Sequence, residues 1–320
     1  MPQSRIMFSF LNRLVLTLLL FVCQQIALDS AYATVIRFNS ALGSYDVRMF
    51  DTSTPLSVAN ILAYVNSGDF NDSLVHRVEN RFQQQSDGSF VNNPFVIQGG
   101  NFAFPTGGVV TSIPSNPPVL NEPGISNLRG TFALARLSGG INSGTNNWFI
   151  NTSDNVFLDT VDQGFTVFGR VVNDGMQIVD AIANLPIQTI LNNLGQSLGN
   201  TFPLHGDFTN GVSRDNFVIF SSVEELSVPD GDYDFDGKVD GKDFIIWQRG
   251  FMTVDDVAAD HNGDAIVDAA DLTPWSNNYA ASTFSASAAS IPEPSTLALL
   301  GLSVLFYGYR PACHLYNYFQ

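Results

Sequence analysis

Phe95-Val96-Ile97-Gln98-Gly99-Gly100 decides how this chain is read, together with Leu74-Val75-His76-Arg77-Val78 before it and Asn146-Asn147-Trp148-Phe149-Ile150 after it. A short apolar run stopped by Gln-Gly-Gly reads as a buried strand ending at a turn. Arg77 beside one apolar strand and the aromatic segment further on place one cation at the rim of a greasy pocket. Such a pocket suits an uncharged, non-polar substrate group.

Outward from that stretch the pattern is of short strands. Tyr45, Val47 and Met49 alternate with polar neighbours after Gly43-Ser44, as in a hairpin arm with one buried face. Thr54-Pro55 supply an N-cap and a first-turn proline for a helix whose face is Val58, Ile61, Leu62 and Val65 and whose stop is Gly68. Residues 79–94 read as a polar insertion between the Arg77 strand and the Phe95 strand, and residues 102–122 as loop. Further strands are predicted over 130–136, 147–151 and 165–172. Met176, Val179 and Ile182 mark a second helix, residues 184–214 read as Asn/Gly-rich loop, and residues 216–221 close as a last strand. Many short strands with glycine turns and only two helices predict a closed or sandwiched β-structure.

The chain carries 14 basic and 30 acidic side chains, a net charge of −16. It should repel nucleic acid and anionic membrane, so no nucleic-acid partner is expected and a cation is the natural one. Arg5 and Arg13, the apolar run 14–23 and Ala31-Tyr32-Ala33 form a secretory signal over residues 1–33, shorter in its apolar part than the roughly 20 residues of a membrane span. Cys23 and Cys313, the only cysteines, fall in the two terminal export segments, so the mature domains hold no disulfide.

Taken in order, Val75-His76-Arg77-Val78, Phe95 to Gly100, Asn121-Glu122, Arg129-Gly130-Thr131-Phe132-Ala133-Leu134-Ala135-Arg136, Trp148-Phe149-Ile150, Phe157-Leu158-Asp159 and Val167-Phe168-Gly169-Arg170-Val171-Val172 resemble the cyclophilin-type peptidyl-prolyl cis-trans isomerases of exported bacterial type. The resemblance implies an eight-stranded closed antiparallel barrel capped by two helices over residues 34–225, with the site on an outer face. It implies that Arg77 is the catalytic arginine, that Phe95 and Val96 hold the proline, that Gln98 binds the peptide backbone, and that Ala135 and Arg136 meet the peptide strand. Asn147, Phe149, Phe157, Leu158 and Phe165 complete the implied site. Val96, Asn147, Phe157 and Phe165 depart from the residues most frequent at those places, and all but Asn147 keep the pocket apolar.

The chemistry is sensible on its own terms. Amide resonance sets a barrier of about 18–20 kcal/mol to rotation of an X-Pro bond, and no bond is made or broken, so neither a cofactor nor a proton shuttle is required. An apolar slot for the ring and a fixed donor aimed at the prolyl nitrogen would favour the twisted state. Arginine supplies a rigid fork of donors that stays charged. His76 reads as structural. The bland reading of Arg77 is a surface strand residue in a salt bridge, and with it the chain would be a non-catalytic peptide-binding or surface-scaffold protein.

Beyond Pro229 lies a tandem repeat with a 28-residue offset. Asp232, Asp234, Asp236, Asp240 and Asp243 stand at positions 1, 3, 5, 9 and 12 of a loop with Gly237 at position 6. Asp260, Asn262, Asp264, Asp268 and Asp271 repeat it with Ala265 in the glycine's place, which predicts a weaker second site. Oxygen ligands so spaced wrap a hard cation of calcium size. Residues 230–279 resemble a type I dockerin, which implies a small α-helical, calcium-binding, dockerin-like domain with a cohesin-like partner. An Ala/Ser linker follows over 280–290, and Ile291-Pro292-Glu293-Pro294-Ser295-Thr296 with the apolar run after it makes residues 291–320 resemble a PEP-CTERM sorting segment. That implies an exosortase-type processing enzyme and an exported protein, periplasmic, at the cell surface or extracellular, with transient C-terminal membrane anchoring.

Overall fold

Strand β1 (Val35–Ser40) and strand β2 (Gly43–Met49) form the expected hairpin, with Phe38 opposite Tyr45 and Ile36 opposite Val47, all four buried. The computed structural model to which these elements belong describes residues 34–84, 87, 90–191, 195–253 and 257–283. The predicted signal segment 1–33 and all of the linker and sorting segment beyond residue 283 lie outside the described residues.

Helix α1 (Pro55–Ser67) buries Val58, Ile61, Tyr64 and Val65 and ends at Gly68 in the left-handed conformation. Its start differs from the sequence reading. Thr54 makes no side-chain cap and instead donates to the carbonyl of Phe50, while the open amides of Leu56 and Ser57 are taken by the Glu122 carboxylate at 3.1 and 2.8 Å. A carboxylate at a helix N-terminus satisfies the same orphan donors and adds a favourable charge–dipole term.

The strands that follow are β3 (Ser73–Leu74), β4 (Arg77–Gln84), β5 (Phe90–Gly99), β6 (Phe102–Ala103), β7 (Thr111–Ser112), β8 (Thr131–Leu134), β9 (Trp148–Asn151) and β10 (Val167–Val172). Helix α2 (Gly175–Ala183), the pair β11 (Ile187–Leu191) and β12 (Ser197–Pro203), and β13 (Ile219–Glu225) complete this part. One antiparallel sheet curls through the order β4-β5-β9-β8-β10-β2-β1-β13-β3-β6-β7, and β11-β12 form a second small sheet. The protein is therefore mainly β with few helices, a curled half-barrel rather than a flat layer.

Three segments read as irregular are paired. Residues 79–94 carry the β4–β5 ladder on to Gln84 opposite Phe90, and residues 102–122 contain β6 and β7. Residues 184–214 contain the β11–β12 hairpin, where Ile190, Phe202 and Leu204 bury against Leu74 and Phe217. Burial of these large side chains outweighs the low strand propensity of their Asn/Gly-rich neighbours.

Inside the curl, Phe38, Phe132, Trp148 and Phe220 are fully buried, with ring centroids 5.1–6.0 Å apart in edge-on and tilted pairs. Gly100 makes the turn out of β5 possible: its φ is +87°, and a Cβ there would lie 2.1 Å from the carbonyl oxygen of Asn146.

The acidic repeat folds as two loop–helix units, with α3 (Gly241–Gly250) after the first loop and α4 (Leu272–Thr283) after the second. They interlock reciprocally: Trp247 Nε1 donates to Asp268 O at 2.8 Å, and Trp275 Nε1 donates to Asp240 O at 2.7 Å. The second loop packs on the sheet. Arg48 Nη1 donates to Asp260 O at 3.1 Å, Thr52 and Ser53 bond to backbone carbonyls of Asn262, Gly263 and Asp264, and the Arg48 guanidinium lies 5.1 Å from the Phe235 ring centre. Val257, Ala258 and Ala265 share one apolar cluster with Phe50, Val96, Phe149 and Leu158 of the β-region.

Candidate active site

The ladder brings the quoted stretches together. Arg77 on β4 faces Gln98 on β5, and Gln98 faces Phe149 on β9, so cation, amide and aromatic ring stand in one row across three strands. A pocket of about 180 Å³ opens beside them, lined by Arg77, Phe95, Val96, Gln98, Ala135, Arg136, Phe149, Leu158 and Phe165. Every residue expected at the site reaches this pocket except Asn147 and Phe157. Phe157 stacks on Phe95 with centroids 5.7 Å apart, forming the next layer out. Asn147 lines an adjoining depression of about 490 Å³ that shares Gln98, Ala135 and Arg136 with the first.

The floor is apolar and fixed: Val96, Phe149 and Leu158 are buried, and Phe165 meets Phe149 edge-on at 5.8 Å. Leu158 sits on a short 3-10 turn (Val156–Asp159) that Asp159 anchors by accepting from the amides of Asn127, at 2.8 and 2.9 Å, and from the Ser126 hydroxyl. The Phe165 amide donates to Leu158 O at 3.1 Å, tying the two pocket walls together.

The rim is cationic. Arg77 is 45% exposed and donates Nε to Glu79 at 2.9 Å and Nη1 to Gln98 Oε1 at 3.3 Å. Arg136 lies 4.4 Å from the Phe165 ring centre and spends its Nη2 on the carbonyls of Val161, Asp162 and Gly164. Among the described residues its Nε and Nη1 are buried without hydrogen-bond partners, and burial lowers its pKa. His76 points inward between Phe102 and Phe202, and burial, helped by Arg77, brings its pKa down to about 4, so the ring stays neutral at physiological pH. That fits a structural histidine and a reaction without proton transfer.

Sequence reasoning missed Glu79 and Arg81. Arg81 places its guanidinium 4.4 Å from the centre of the Phe95 ring and 3.8 Å from that of Phe157. Both residues follow from period-2 alternation along β4 counted from Arg77, a signal that the polar composition of residues 79–94 hides.

At the acidic loops, carboxylate oxygens of Asp232, Asp234 and Asp236 come within 4.8 Å of one another. The Lys242 ammonium stands 3.4 Å from Asp236 and 3.9 Å from Asp234. Asp232 is buried, and its pKa is pushed up to about 6 by that burial, with Asp243 and Asp234 adding to the shift. Close carboxylates that one lysine and a few backbone amides only partly offset are an arrangement that a hard cation would relieve.

A family model described as cyclophilin type peptidyl-prolyl cis-trans isomerase/CLD matches residues 34–195, and one for the PEP-CTERM protein-sorting motif matches residues 290–310. A peptidyl-prolyl cis-trans isomerase of Acinetobacter baylyi is 35% identical over 167 residues, covering 51% of this chain and 80% of the relative. Peptidyl-prolyl cis-trans isomerase A of Dickeya dadantii is 35% identical over 168 residues, covering 51% and 78%. Peptidyl-prolyl cis-trans isomerase B of Escherichia coli is 34% identical over 155 residues, covering 46% and 83%. Among the described residues no helix is long and apolar enough to cross a membrane. The family match over residues 34–195, with relatives 34–35% identical and covered over 78–83% of their length, shows that the chain belongs to the cyclophilin-type peptidyl-prolyl cis-trans isomerase family.

Proposed function

We propose that this chain isomerises X-Pro bonds of exported polypeptides at the pocket beside Arg77. The observation that carries the reading is the fork of Arg77 held at the mouth of the 180 Å³ apolar pocket, with Nη1 toward Gln98. Phe95, Val96, Phe149, Leu158 and Phe165 take the proline ring, Gln98 and Ala135 the peptide backbone, and Asn147, Arg136 and Phe157 the flanking strand. As the bond twists, the prolyl nitrogen regains its lone pair and accepts from Arg77, an interaction stronger in the transition state than in either planar isomer. The reaction needs no cofactor.

The curled sheet is read as the family's eight-stranded closed barrel, with limits 34–225. Residues 230–279 are read as a dockerin-like module that takes calcium at Asp232, Asp234, Asp236, Asp240 and Asp243 and, more weakly, at Asp260, Asn262, Asp264, Asp268 and Asp271, and that docks onto a cohesin-like partner. Residues 280–290 serve as linker, and an exosortase-type enzyme processes the sorting segment after export. What supports calcium is the gathering of carboxylates at the first loop.

A second reading, a peptide-binding protein without turnover, is favoured by the Arg77–Glu79 ion pair, which engages the donor that catalysis requires. Proline-peptide isomerisation by the chain and by its Arg77→Ala variant decides between them. The catalytic reading expects a drop of about 10²–10³ in kcat/KM, the usual cost of one transition-state donor, and equal rates overturn it.

A further inference from the structure

We infer that Arg81 forms a carboxylate-binding subsite beside the proline pocket, so that the preferred substrates carry Asp or Glu next to the proline. The inference rests on the pocket assignment above and names a feature of its substrate class.

The Arg81 guanidinium lies 4.4 Å from the ring centre of Phe95, a wall of the pocket, and 3.8 Å from that of Phe157, which stacks on Phe95. The guanidinium rests on the stacked ring pair from one side, in contact with both rings. The residue is exposed, so N–H donors of a guanidinium held by cation–π contact remain open to solvent at the rim. A guanidinium already held in place loses less entropy on pairing with a carboxylate than a free lysine would, and fork and carboxylate match in geometry. The other two rim cations are less available: Arg77 pairs with Glu79, and Arg136 gives its Nη2 to three carbonyls while its Nε and Nη1 are buried. No ion pair to Arg81 occurs among the described residues. Arg77, Arg81 and Arg136 outnumber the neighbouring carboxylates of Glu79 and Asp162, so the pocket mouth is locally cationic on a chain of net charge −16 and an acidic peptide residue complements it.

The test uses proline peptides that differ only in Glu, Ala or Lys on either side of the proline, turned over by the full chain and by Arg81→Gln and Arg81→Lys. The expected result is a Glu-over-Lys preference of about fivefold in kcat/KM, carried by KM and weakened by salt, as for one exposed pair that gains with Glu and loses with Lys. Arg81→Gln brings the ratio close to unity, and Arg81→Lys retains at least half of it. A wild-type ratio near one, or a ratio unmoved in Arg81→Gln, overturns the inference. Loss of the preference in Arg81→Lys as well as in Arg81→Gln also overturns it, since charge is then not what the peptide meets. If the wild-type chain turns over none of the peptides, the catalytic reading has failed, and the same ratios measured as Kd decide the Arg81 subsite by themselves.

Discussion

At the pocket, charge stands outside and grease inside: Arg77 is 45% exposed while Val96, Phe149 and Leu158 are buried. At the acidic loops the order is reversed. Asp232, Asp243, Asp260 and Asp271 are buried, and each accepts backbone amides of its own loop, as Asp271 does from His261 and Asp268 at 2.8 Å each. The difference lies in what each charge is for. The pocket's cation is held by one exposed ion pair and one side-chain amide, contacts for which a ligand can compete without cost to the core. The buried carboxylates replace backbone partners that the loops cannot find elsewhere, so they belong to the fold first.

The largest expected effect separates the two regions. Arg77→Ala should lower kcat/KM by about 10²–10³ while thermal melting moves little, because an exposed ion pair is worth only about 0–1 kcal/mol. Asp271→Ala should do the converse. It strands the amides of His261 and Asp268, at about 1–3 kcal/mol each, and should unfold the module, read by Trp247 and Trp275 emission, with isomerisation of a short peptide retained. An Asp271→Ala protein whose tryptophan emission matches the wild type would erase the contrast.

Next in size is the joint between the regions. Arg48 is 3% exposed, donates to Asp260 O at 3.1 Å, lies over Phe235, and has no partner for its Nε among the described residues. Arg48→Ala removes both the packing and the hydrogen bond, a loss of about 2–4 kcal/mol. Arg48→Met keeps most of the volume and leaves no unpaired donor, and should cost about half as much. Urea unfolding of both variants measures this, and equal losses would mean that charge rather than packing holds the joint.

Much of the site was legible because its residues lie on strands whose order is written in motifs. Arg77, Gln98 and Phe149 need only the antiparallel register to meet, and Gly100 announces the turn that ends their strand. What was missed depended on contacts distant in sequence. Nothing around Thr54 says that Glu122 supplies the helix cap, and residues 184–214 become a hairpin because Phe202 and Leu204 find Leu74 and Phe217. The acidic loops gave their spacing and their helices but not their seat on the sheet. The close approach there needs Gly263, whose Cβ would lie 2.7 Å from the Asp51 amide.

The smallest effect turns on pH and carries the comparison furthest. Burial pushes Asp260 up to about 7 and Asp232 up to about 6, the nearby Arg48 only partly offsetting the shift at Asp260. Carboxyls whose folded pKa exceeds the unfolded value bind more protons in the folded state. Their contribution is fully present below the unfolded pKa and is lost as pH rises through about 6 to 7. In chelator, the module's unfolding midpoint should therefore fall from pH 5 to pH 8. With calcium the slope should reverse, since the ion competes with those same protons and binds best once they have left. A midpoint that rises with pH in chelator would contradict the burial argument, and one that ignores calcium at pH 8 would contradict the cation. Proline-peptide turnover, resting on a guanidinium that keeps its charge and on a histidine already neutral, should hold across the same range.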